Sequence, residues 1–73
     1  MNKVTMDAVD SSNVMAIGYD AEAGEMHVQF RGGSTYIYEN VPPDLSEEFK
    51  ASPSKGSFYH ERVKSQFKFR KAE

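Results

Sequence analysis

The sequence predicts a small α+β domain: a three-stranded antiparallel meander followed by two short helices packed on one face, with a flexible N-terminal arm and a basic C-terminal tail. Three observations predict it. Met26, Val28 and Phe30 alternate with His27, Gln29 and Arg31, the period-two pattern of a strand with one buried face. Glycine-containing turn segments flank that strand, Asp20-Ala21-Glu22-Ala23-Gly24 before it and Arg31-Gly32-Gly33-Ser34 after it. Beyond them, Pro42-Pro43 stops the sheet and opens a stretch with helical spacing. With 73 residues, 38% hydrophobic and 27% charged, the composition is that of one globular domain with a small core built around Tyr and Phe.

Each element has a local reason. Residues 1–10 carry no clean period, and Asp7 with Asp10 interrupts any apolar face, so they read as a loosely attached arm. Val14 to Tyr19 is a short apolar run with a β-branched bias and makes the first strand. Met26 to Arg31 makes the second, and Thr35 to Glu39 the third, joined through the positive φ that Gly32 and Gly33 supply. A helix is expected over 43–51. Pro43 opens it, Asp44, Glu47 and Glu48 lie toward its positive end, and Leu45 and Phe49 share a face at i, i+4. Ser52-Pro53 ends it. A second helix is expected from Ser54 or Lys55 to about Ser65, with Ser54 as N-cap and Phe58 or Tyr59 turned inward with Val63. In the stretch 66–73, Phe67 and Phe69 alternate with Lys68 and Arg70; an extended tail, a late strand and a continued helix all fit. The domain scheme is therefore an arm over 1–10, a folded unit over 11–65 and a basic aromatic tail over 66–73.

Composition narrows the function classes. With no cysteine there is no disulfide staple, no thiolate zinc spacing and no redox pair, which fits a reducing, cytoplasmic setting. The longest apolar run, Val14 to Ile17, cannot span a bilayer, so no membrane role is expected. Charge is uneven. Residues 1–54 hold three cations against nine anions, whereas residues 55–73 hold six cations against two anions, an electropositive end suited to phosphate or an acidic surface. His27 and His60 have no carboxylates beside them at ligand spacing, and none of the serines has a visible base and orienting acid. Arg31-Gly32-Gly33-Ser34 lacks the lysine and following helix of a phosphate loop, and Glu47 with Glu48 diverge on their helix. The expectation is a monomeric protein that is not an enzyme, with no cofactor, metal or small-molecule substrate.

Surface recognition remains. Tyr36 and Tyr38 point to one face of the third strand and Ile37 to the other. Exposed tyrosines stack bases; if the hairpin register sets them beside Met26, Val28 and Phe30, they belong instead to the core and Ile37 becomes an exposed apolar spot. From Arg62 to Lys71, cations alternate with aromatics, which suits single-stranded RNA or an acidic protein groove anchored by Phe67 or Phe69. The candidate partner-binding residues are Met6, Ile37, Arg62, Lys64, Phe67, Lys68, Phe69 and Arg70, with Tyr36 and Tyr38 as candidate RNA-stacking residues.

Three ordered segments also carry a family resemblance. Asp10-Ser11-Ser12-Asn13-Val14-Met15-Ala16-Ile17-Gly18-Tyr19-Asp20, then Thr35-Tyr36-Ile37-Tyr38 with Asn40-Val41-Pro42, then Ala51-Ser52-Pro53-Ser54-Lys55-Gly56 together resemble the KTSC domain. That module occurs at the C-terminus of some lysyl-tRNA synthetases and as stand-alone bacterial and phage proteins. The resemblance covers about residues 10–65 and centres on a Tyr-x-Tyr motif, here Tyr36 and Tyr38; it implies the α+β fold and RNA as a partner. In size and basic tail the chain also resembles a small phage-encoded transcription regulator. That likeness implies binding to a subunit of host bacterial RNA polymerase, with inhibition of initiation and promotion of antitermination, in the host cytoplasm.

Overall fold

Alternating apolar residues make the sheet, and turn chemistry sets its register. The structure, a computed structural model, describes residues 4–9 and 11–72. Strand β2 (Val14–Asp20) turns into β3 (Glu25–Phe30) through a loop that Asp20 organises: its Oδ1 accepts the backbone N–H groups of Glu22 and Ala23 at 3.1 and 3.2 Å. Gly24 closes that loop at φ 68°. Between β3 and β4 (Thr35–Tyr38), Gly32 and Gly33 take φ values of 106° and 98°, which a side chain would strain. The register is then Met26↔Tyr38 and Val28↔Tyr36, so both tyrosines share the helix-covered face with the β3 apolar residues.

The sheet has five strands rather than the three that local pattern predicts, all antiparallel and in chain order. The extra two come from the segments read as arm and tail. Strand β1 (Met6–Ala8) pairs with β2, and β5 (Phe69–Ala72) pairs with β4. Neither has a convincing period of its own, because each is held by partners distant in sequence. Met6 pairs with Gly18, whose missing side chain lets the Met6 Sδ, the Val4 side chain and the Thr5 carbonyl lie against it. Lys50, on the first helix, holds Asp7 at 2.9 Å. On the opposite edge, Arg70 reaches Glu25 with two hydrogen bonds of 3.0 and 3.1 Å and Glu39 with a third of 3.3 Å. Of the predicted arm and tail, residues 1–3, 10 and 73 lie outside the described residues.

The helices lie where proline and spacing put them. Helix α1 (Pro43–Ala51) starts on Pro43 and buries Leu45, Ser46 and Phe49. Helix α2 (Lys55–Phe58) follows Ser54, whose hydroxyl makes no capping bond, and runs directly into one wide π turn (Tyr59–Val63). There the Lys64 N–H reaches the Tyr59 carbonyl, five residues back, at 2.8 Å. Val63 belongs to the core, and Phe58 and Tyr59 pack against it. Phe58 stacks on Phe49 at 5.2 Å and 9°, joining the two helices. Val14, Ile17, Met26, Val28, Tyr38, Val41, Leu45, Phe49 and Val63 form the continuous core between sheet and helices. Among the described residues no helix is long and apolar enough to cross a membrane.

A methyl group at Gly18 would sit 2.8 Å from the Thr5 backbone oxygen, a contact that only a shift of the strand relieves. Gly18→Ala is therefore expected to destabilise the fold by about 1–3 kcal/mol. In urea denaturation its midpoint falls, and amide exchange accelerates first along β1.

Candidate functional site

An aromatic groove opens where the β3–β5 side of the sheet meets the π turn. Phe30 ends β3, Tyr36 sits on β4, Phe69 begins β5, and Tyr59 comes down from the π turn. Phe30 meets Tyr36 edge-on at 5.6 Å and Tyr59 edge-on at 5.1 Å. Tyr36 and Phe69 lie parallel, 5.3 Å apart at 3°. These rings line an open groove of about 600 Å³ together with Asn13, Arg31, His60, Lys64 and Ser65. Its two formal charges, Arg31 and Lys64, are positive, and no carboxylate lines it. Ser11 fixes the arginine from behind, its carbonyl accepting the Nε–H at 2.9 Å.

The floor of the groove is held by a pair of phenols. The hydroxyls of Tyr38 and Tyr59 are 2.6 Å apart, and their rings meet edge-on at 6.0 Å. Tyr38 is buried, and burial, followed by the bond to Tyr59, pushes its phenol well above the ordinary tyrosine value. It is a neutral hydrogen-bonding post, not a nucleophile or base at physiological pH. Above it, Phe69 is 53% exposed while its inner face rests on Tyr36. A flat, solvent-facing ring backed by a second ring accepts a further planar group on its open side, and the flanking cations suit an anion attached to that group.

The residues singled out from sequence scatter over the molecule. Tyr36, Lys64 and Phe69 meet at the groove. Tyr38, 1% exposed, is part of the core and cannot stack a ligand. Ile37, expected as an exposed apolar spot, is 9% exposed, because β5 makes β4 an inner strand and sets Ile37 between His27 and Arg70 rather than on an edge. Met6 is half-buried against Gly18. Arg62 lies over the Phe58 ring at 5.2 Å and pairs with Glu48 at 3.3 Å, tying the helices together. Phe67 packs against the core and lines a different depression, one that also carries Asp44, Glu48 and Glu61. Lys68 is exposed just before β5, and Arg70 faces Glu25 and Glu39 on the far side of the sheet. Sequence reasoning missed Phe30, Arg31 and Tyr59 as groove residues; the shared face of Phe30 and Tyr36 was the available signal for the first. Among the described residues no group of three His, Asp or Glu side chains is placed to hold a metal ion.

Comparison with known proteins adds four matches. The family model described as the KTSC domain matches residues 10–67, which takes in β2 to β4 and both helices. A protein from Tsukamurella paurometabola is 38% identical over 63 residues, covering 86% of this chain and 94% of that one. A lysine–tRNA ligase from a Nostoc species is 35% identical over 60 residues; the match covers 82% of this chain but 11% of the ligase. Among solved structures, the crystal structure of a KTSC domain protein from Yersinia pestis superimposes with a TM-score of 0.92 at 35% identity, covering 97% of this chain and all of that one.

The Tyr38–Tyr59 bond is open to a direct check. Tyr38→Phe is expected to lower stability near neutral pH by about 1 kcal/mol, leaving Tyr59 without its partner. Because the folded-state pKa of Tyr38 lies above the ordinary 10.0, the unfolded chain loses this proton first as pH rises, so the stabilisation is intact below pH 10 and lost above it. Urea midpoints at about pH 8 and about pH 11 should accordingly show the gap between the native chain and the variant narrowing at the higher pH.

Proposed function

Given that this chain belongs to the KTSC domain family, we propose that it is a non-enzymatic module that binds single-stranded RNA in the aromatic groove. The observation that carries the reading is the exposed Phe69 ring stacked on Tyr36 with Arg31 and Lys64 beside it and no carboxylate lining the groove. Bases have flat apolar faces, phosphates have charge, and this surface presents a partner for each. The lysine–tRNA ligases that share the segment act, by name, on a tRNA, which supports the same choice of partner. In this reading a base stacks on the outer face of Phe69, while neighbouring phosphates approach Lys64 and Arg31. Asn13, His60 and Ser65 line the same groove and supply polar atoms for base edges.

A stacked base contributes about 1–3 kcal/mol, and two phosphate contacts give log Kobs a slope of about −1.4 against log salt. Binding is therefore weak and salt-sensitive. Titration of the labelled chain with an oligoadenylate should shift the resonances of Tyr36, Tyr59 and Phe69 first. Phe69→Ala is expected to weaken binding by roughly fivefold to 150-fold. Lys64→Ala should flatten the salt slope by about 0.7. Absence of shifts at millimolar oligonucleotide refutes the reading.

A second reading is regulation of transcription by occupying a subunit of host bacterial RNA polymerase, as the likeness in size and charge to a small phage regulator implies. The observation in its favour is the solvent-exposed run of Lys64, Lys68, Phe69 and Lys71, cationic around one exposed ring. Immobilised chain should then retain polymerase from a bacterial lysate, and the charge reversal Lys68→Glu should release it. Failure of the intact chain to retain polymerase eliminates this reading.

A further inference from the structure

Strand β5 ends the sheet, with β4 on one side and no neighbour on the other among the described residues. Its ladder fixes which backbone groups are already used. The Glu39 N–H donates to the Lys68 carbonyl at 2.9 Å, and the register continues through Ile37↔Arg70 and Thr35↔Ala72. Hydrogen-bonded and non-hydrogen-bonded pairs alternate along an antiparallel ladder. Lys68, Arg70 and Ala72 therefore face β4 with their backbone groups, and the N–H and C=O of Phe69 and Lys71 point out of the sheet. That is a repeat of two donors and two acceptors about 6.8 Å apart, the complement of an extended chain.

Natural sheets blunt such an edge with proline, a bulge, a covering loop or charge. Along β5 only charge is present. Arg70 is engaged by Glu25 and Glu39, whereas Lys68 and Lys71 make no ion pair among the described residues. Those two lysines repel a second β5 set against them, and they attract carboxylates. We propose that the free edge of β5 is a docking site for an extended acidic segment of a protein partner, added as a sixth antiparallel strand. Register then specifies the segment. The residue opposite Lys71 is acidic, the residue two positions later lies beside the Phe69 ring and is apolar, and the next, opposite Lys68, is acidic again.

The test uses the full chain and the capped hexapeptide Thr-Glu-Thr-Val-Glu-Thr, with amide exchange read by NMR. At free peptide about ten times Kd, exchange at the Phe69 and Lys71 amides should slow about tenfold, the factor 1 + [L]/Kd, while the amides of β1 at the opposite edge keep their rates. The same peptide with lysine in place of glutamate should not protect them, and Lys71→Glu should reverse that preference. Methylating the valine nitrogen removes a ladder donor and should abolish protection. Equal binding of the methylated peptide, absence of protection at saturating peptide, or protection that grows with protein concentration alone overturns the proposal; the last outcome assigns the edge to a second copy. Since the readout is the edge amides rather than the groove, the RNA reading stands or falls separately.

Discussion

The hydroxyl-to-hydroxyl bond between Tyr38 and Tyr59 is the constraint on which the rest of this small structure depends. It joins the central part of the sheet to the π turn across 21 residues of sequence. A buried phenol left without a partner costs about 1–3 kcal/mol, so the bond favours this placement of Tyr59. With Tyr59 there, its ring lies edge-on to Phe30, and the groove wall beside Tyr36 and Phe69 is set.

Edges matter as much as the core in a chain of this size. A domain of 73 residues with no disulfide has limited apolar area to bury, and a three-stranded sheet would leave Ile37 and the two tyrosines of β4 on a border. Adding β5 encloses them. Phe69 covers Tyr36 and Tyr38 on one face, and Arg70 bridges two carboxylates on the other. At the opposite border, β1 occupies the space Gly18 leaves open. The aromatic groove is a by-product of this closure: the ring that finishes the sheet is the one left half in water.

Much of the fold was legible in the chain. The alternation at Met26, Val28 and Phe30, the paired glycines and the Pro-Pro step set three strands and the first helix near their observed bounds, because each signal is local and strong. The tyrosine register was not settled by the chain alone: local pattern put Tyr36 and Tyr38 on one face but allowed that face to be open or covered, and the observed pairing with Val28 and Met26 buries Tyr38. The groove was legible in part. Tyr36, Lys64 and Phe69 stood out as an aromatic and cationic pattern, but Phe30 and Tyr59 read as ordinary core residues, and Arg62 and Arg70 read as free cations although each is committed to a carboxylate.

By itself the sequence determined the period of the strands, the turns between them, the start of the first helix and the family to which the segment belongs. All of these follow from backbone preferences and spacings within a few residues. Only the tertiary structure decided that the two ends of the chain become edge strands, that the second helix opens into a π turn, and which rings face water. Those outcomes rest on contacts between residues far apart in sequence, such as Met6 with Gly18 and Arg70 with Glu25. Their free energy appears only when the whole sheet is assembled, so no local pattern announces them.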